Sequence, residues 1–121
     1  MSQDNEVRIK KDAEGNVLQK CGYQDGKMHG KREIWHPSGV KLSVTDFVNG
    51  AMQGEHISWY ASGQIALKAI VKNNNYHGLF TSYWPNGQKR EQGNLECGER
   101  IGVFVSWSDS GEQLAETDYK K

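Results

Sequence analysis

The side chains with the means to do chemistry in this chain are four histidines, two cysteines, three recurring serines and a run of glutamates, and their spacing decides what they can do. His29, His36, His56 and His77 are scattered along the 121 residues. A zinc site needs four ligands converging at about 2.0–2.3 Å, and the chain has no CxxC, HxxxH or HExxH spacing. The histidines are therefore predicted to be solvated loop residues, and no metal or cofactor is expected. Ser58, Ser82 and Ser106 recur at one interval. A nucleophile needs a base and an orienting group of its own, so a serine that recurs three times is better read as a strand residue. No glycine-rich stretch follows a strand and opens a helix, which removes a phosphate cradle. Glu91, Glu96 and Glu99 stand among Lys89, Arg90 and Arg100 and form a mixed-charge surface. Cys97 falls in a turn, with no catalytic partner beside it in the sequence. No enzymatic activity is expected.

Composition narrows the classes further. Lysine plus arginine number 15, as do aspartate plus glutamate. Zero net charge removes the electrostatic basis for binding nucleic acid, and it disfavours an anionic membrane surface. Leu, Ile, Val and Phe total only 23 residues, but twelve aromatics on a neutral chain argue for folding. No apolar run reaches the ~18 residues of a membrane span. The opening Met1-Ser2-Gln3-Asp4-Asn5-Glu6 has neither the charge nor the apolar middle of a secretory leader. Cys21 and Cys97 are too few for a disulfide framework. A cytoplasmic location is the expectation.

Those residues are held by a repeat. Gly30, Gly54, Gly78 and Gly102 are spaced 24 apart, and so are Gly15, Gly39, Gly63, Gly87 and Gly111. Gly26, Gly50 and Gly98 form a third set that skips only Asn74. A fixed period of this length marks a repeat architecture. The units run at about 6–29, 30–53, 54–77, 78–101 and 102–121, the first and last degenerate, and make one domain over 1–121. The first has Glu6 and Lys11 where the others have the opening glycine and the aromatic. Within a unit, β-branched and aromatic residues run up to Ser-Gly or Asn-Gly, a hairpin signal. A second run and a polar connection follow. The fold class predicted is all-β: a curled antiparallel meander of stacked hairpins, about nine short strands in all.

The segment GLFTSYWPNGQKREQGNLECG, residues 78–98, resembles one MORN repeat in its short bacterial variant, whose bacterial representatives include the YwqK-type antitoxins. The likeness covers about residues 14–119. It implies a curled sheet of hairpins with a groove, and a role in protein binding, scaffolding, membrane association or, in bacteria, an antitoxin role. The chain departs from the pattern at Arg32 and His56, where an aromatic is expected, and at Ser43 and Leu67, where a glutamate is.

The rows of the repeat suggest a division of labour. Trp35, Trp59, Tyr83 and Trp107 form a structural aromatic ladder, predicted to be buried. Tyr23, Phe47, Val71, Leu95 and Tyr119 form a second recurring row, with small residues Cys21, Thr45, Ala69, Gly93 and Thr117 two positions earlier. The residue after the ladder varies: His36, Tyr60, Trp84, Ser108. Successive strand residues face opposite sides, so this row is assigned to the other face, together with Arg32, His56, Phe80 and Phe104. Arg32, His36, His56, Tyr60, Phe80, Trp84 and Phe104 are the candidate partner-binding residues, a composition favoured at interfaces. The reading is a protein-binding module, in bacteria an antitoxin or immunity protein that blocks a cognate toxin. The alternative is a scaffold or membrane-peripheral protein, which zero charge and the lack of an amphipathic helix disfavour.

Overall fold

A computed structural model describes residues 5–119. The opening residues 1–4, read above as part of a non-leader start, and the closing Lys120-Lys121 lie outside the described residues. Ten strands follow one another: β1 (Asn5–Lys11), β2 (Val17–Gln24), β3 (Lys27–Trp35), β4 (Lys41–Val48), β5 (Ala51–Trp59), β6 (Ile65–Lys72), β7 (Asn75–Tyr83), β8 (Lys89–Glu96), β9 (Glu99–Trp107) and β10 (Gln113–Tyr119). They form one antiparallel sheet in sequence order, open at β1 and β10, with no helix among the described residues. The fold is the all-β meander of hairpins expected from the period. Its count is ten rather than nine, because the degenerate first unit still forms a full hairpin, β1 against β2.

The polar connections between units prove to be the tightest turns. Asp25-Gly26, Asn49-Gly50, Asn73-Asn74 and Cys97-Gly98 each place two successive residues at positive φ, which defines the primed two-residue hairpin whose twist matches that of the strands. The Ser-Gly and Asn-Gly sites are wider loops. In each, the first residue donates its N–H to the fifth residue's carbonyl, as Tyr60 does to Gln64 and Trp84 to Gln88, both at 2.8 Å. Both connections are hairpins, so no break separates one unit from the next.

The glycine at the head of each unit does not start a strand. Gly54 lies inside β5, in a bulge where Gln53, Gly54 and Glu55 oppose Asp46 alone. Its φ is 130°, and an added Cβ would sit 2.8 Å from the Asp46 Cβ, so only glycine fits. The Asp46 carboxylate fills the bulge, accepting from the Glu55 N–H at 3.0 Å and from Lys31 Nζ at 2.9 Å. Burial pushes the Asp46 pKa up, but Lys31 and the Glu55 N–H outweigh it and hold it below the usual value. The bulge always faces the preceding strand. Glu6 stands at this phase in β1, which pairs only with β2 among the described residues.

Residues directly opposite across an antiparallel pair share a face, so the register sorts the rows. Cys21 pairs with Arg32, Arg32 with Thr45, Thr45 with His56, His56 with Ala69, and Ala69 with Phe80. Phe80 then pairs with Gly93, and Phe104 with Thr117. Phe47 pairs with Met52, Val71 with Tyr76 and Leu95 with Arg100. All of these lie on one side, called here the core face. It holds the six buried hydrophobic residues Cys21, Phe47, Ala69, Val71, Leu95 and Phe104. The opposite face carries Val44, Ile57, Thr81 and Val105 among ion pairs such as Lys41–Glu33, with only Thr81 of these four fully buried.

Candidate binding face

The row assigned to recognition thus shares its face with the core. Arg32, His56, Phe80 and Phe104 do come together in a line across the strands, as expected, but they line the buried side of the sheet. Phe104 is only 3% exposed. The ladder Trp35, Trp59, Tyr83 and Trp107 was predicted to be buried, and all four are only half-buried, on the opposite side. The difference has a physical cause: alternation along one strand does not fix which row of the next strand lies beside it.

His36, Tyr60 and Trp84 are the first residues of the wide loops rather than members of that line. Tyr60 donates its hydroxyl to the Tyr83 carbonyl at 2.6 Å, and Trp84 Nε1 donates to the Trp107 carbonyl at 2.9 Å. These side chains tie one loop to the next, 23 residues on. His36 Nδ1 stays within its own loop, accepting from the Ser38 N–H at 3.1 Å. At the other end of the sheet, His29 and His77 are half-buried strand residues rather than loop residues. Their Nδ1 atoms accept from the Asn49 N–H (3.3 Å) and the Cys97 N–H (3.4 Å), and Gln53 does the same for Asn73. The tight turns are stapled in this way.

The line on the core face changes character along its length. At its start, Arg8 pairs with Cys21 and stacks its guanidinium 3.9 Å from the Tyr23 ring centroid. Arg8 is 24 residues before Arg32; extending the phase by one unit would have found it. Cys21 is 1% exposed, and burial pushes its thiol pKa up against the opposing pull of Arg32 and Arg8. Arg32 donates from Nη2 to Gln19 Oε1 at 3.2 Å, while its Nε is buried without a hydrogen-bond partner among the described residues. The Thr45 hydroxyl and His56 Nδ1 lie 2.7 Å apart. Burial lowers the His56 pKa, so its neutral form is favoured. From there the line is aromatic. Tyr76 meets Phe80 edge-on at 5.7 Å, and Phe104 meets Tyr119 edge-on at 5.6 Å.

Where the two characters meet, the face is hollow. Met52, His56, Val71, Asn74, Asn75, Tyr76 and Gly98 line an open depression of about 240 Å3. Met52 and Tyr76 were not singled out in the sequence; their shared phase, two residues before the bulge glycine, is the signal that marks them. Among the described residues no group of three or more His, Cys, Asp or Glu is placed to hold a metal ion, and Cys97 is exposed and free in its turn. What this face offers is shape, apolar surface and hydrogen-bonding side chains.

A sheet of stacked hairpins built on a 24-residue period is a repeat architecture. The family described as MORN repeat variant matches the chain twice, over residues 52–73 and 76–96. Those two stretches cover most of hairpins β5–β6 and β7–β8. MORN repeats are in general protein- or membrane-binding modules, and the family is in general non-enzymatic. No curated protein matches the chain.

Proposed function

We propose that the protein is a non-enzymatic binding module that engages a partner protein through the core face, at the hollow beside His56. The observation that carries this is the hollow itself. It leaves Met52 and Tyr76 open to an incoming apolar side chain above the buried Val71, flanked by the polar tips of His56, Asn74 and Asn75. An open apolar depression rimmed by a few polar groups is the shape of an interface pocket. The finer reading is an antitoxin or immunity protein acting in the cytoplasm, which binds a cognate toxin and covers its active surface. It is supported by the likeness of residues 78–98 to the bacterial MORN variant and by the absence of an evident catalytic constellation in the sequence.

Co-expression with the product of the neighbouring gene tests both levels. The expected result is a stable co-purified complex that relieves growth arrest. Tyr76→Arg, in the hollow, should abolish it. Leu79→Arg should leave it intact, since Leu79 is 50% exposed on the opposite face. Complex formation without relief of arrest removes the antitoxin reading and leaves the binding one. Flotation with liposomes but no complex gives the membrane-peripheral reading instead.

A further inference from the structure

The charges on the core face do not balance. Of its acids, Glu6 is held by Arg8 at 2.8 Å and Glu91 by Arg100 at 2.8 Å. Arg32 has no carboxylate within 4 Å among the described residues, and Lys10, which pairs with Gln19 on the same face, has none either. The chain as a whole is neutral, so this cationic excess belongs to the face, and it gathers at the end where the line of side chains is polar.

A half-buried guanidinium without a counter-charge is costly unless something pairs with it. Arg32 holds one hydrogen bond, to the neutral amide of Gln19, and its Nε has none. Turning the guanidinium toward an incoming carboxylate gives up one bond to a neutral acceptor and gains a charge-assisted, two-pronged pair. Two strands further along lies His56, and two such steps span about 9.5 Å. An extended peptide covers that distance in about three residues. A segment lying across the strands therefore reaches Arg32 with one residue and the hollow beside His56 with the third residue on.

We propose that the core face receives an acidic segment of a partner protein, with a carboxylate on Arg32 and, about three residues away, an aliphatic or aromatic side chain in the hollow formed by Met52, Val71 and Tyr76. This rests on the protein-binding reading above and names the chemistry of its partner. The polarity of the line sets the direction in which the segment lies. A free phosphate or a lipid headgroup would satisfy Arg32 but offers no side chain at a fixed spacing of about three residues to fill the hollow.

Selection of random twelve-residue peptides displayed on phage, with the intact protein as bait, tests the pairing. The expected winners carry Asp or Glu about three residues from an aromatic or aliphatic residue, and bind more weakly as salt rises. Replacing that acid by its amide in the peptide should weaken binding at least about tenfold. Arg32→Gln should do the same, while Arg32→Lys should keep most of the affinity. The peptide substitution needs no change in the protein, so it decides the matter even if an Arg32 variant folds poorly. Winners without acids, or an amide substitution without effect, overturn the acidic pairing and leave the binding reading standing. No enriched peptide overturns both. Binding to phosphatidylserine vesicles that Arg32→Gln abolishes, with no peptide selected, assigns the cation to a lipid surface and overturns the proposal.

Discussion

Two ends of one line of side chains occupy equivalent positions in the repeat and have opposite chemistry. Arg32 sits between Cys21 and Thr45, and Phe104 lies beside Gly93 with Thr117 opposite it. Both places have a strand of nine residues with a bulge against the preceding strand and a wide loop after it. The bulge lies opposite Gly22 at the Arg32 end and opposite Gly93, taking in Phe104 itself, at the other. At the Phe104 end the ring lies on the bare Gly93 backbone, and the position belongs to the core. At the Arg32 end a side chain of similar reach leaves a buried nitrogen unpaired. The frame, held by turns and bulges, thus tolerates either chemistry at this position. One end contributes cohesion, and the other is the end at which we propose recognition.

The sharpest way to break this comparison is to truncate both ends. Phe104→Ala should cost about 3–5 kcal/mol, as for other buried phenylalanines. Arg32→Met should be near neutral or slightly stabilising, because it removes an unpaired buried charge and keeps the volume. Urea denaturation of the two variants beside the parent measures the contrast; equal losses would make both ends core. Gly93→Ala comes next. An added Cβ would lie 2.4 Å from the Phe104 ring, and the ring cannot give way without opening the core. The expected cost is about 1–3 kcal/mol, with a near-ultraviolet dichroism change from displaced aromatics.

A smaller effect is expected at the loop ends. Tyr60→Phe removes the bond to the Tyr83 carbonyl and should cost about 0.5–1.5 kcal/mol with no change in far-ultraviolet dichroism. If it instead weakens partner binding without moving the melting temperature, Tyr60 belongs to the recognition surface after all. The smallest effect is a pH dependence at the polar end. Burial holds the His56 pKa below its unfolded value of 6.5, so the unfolded chain takes up the proton first. Its contribution is neutral above pH 6.5, and stability is lost as the pH falls below 6.5 toward the lower folded value. Thermal melts of parent and His56→Gln between pH 7.5 and 5 should diverge only on the acid side. A divergence above about pH 7 would place a different group in control.

The 24-residue spacing of glycines and aromatics was enough for the repeat, the hairpins, the open order of strands and the turn at Cys97. Each of those is set locally: a turn with two successive positive φ values favours glycine, asparagine or aspartate, and a short loop leaves a chain no choice but to pair with its neighbour. Arg32, His56, Phe80 and Phe104 could likewise be placed in one line from their shared phase alone. Which rows face the core is not a local property. It depends on the register between strands. Beside the wide loop one extra residue enters, as where Ile34 opposite Ser43 is followed by Trp35 opposite Lys41. The bulge at Gly54, by contrast, adds two residues and keeps the alternation. Only the cross-strand pairs, such as Thr45 with His56, show that the varying row and the recurring Phe47–Val71–Leu95 row share a side. The half-buried ladder of Trp59, the staples from Tyr60 and His77, and the uncompensated charge of Arg32 follow from that register, because burial and pairing are decided by what a side chain meets from strands outside its own.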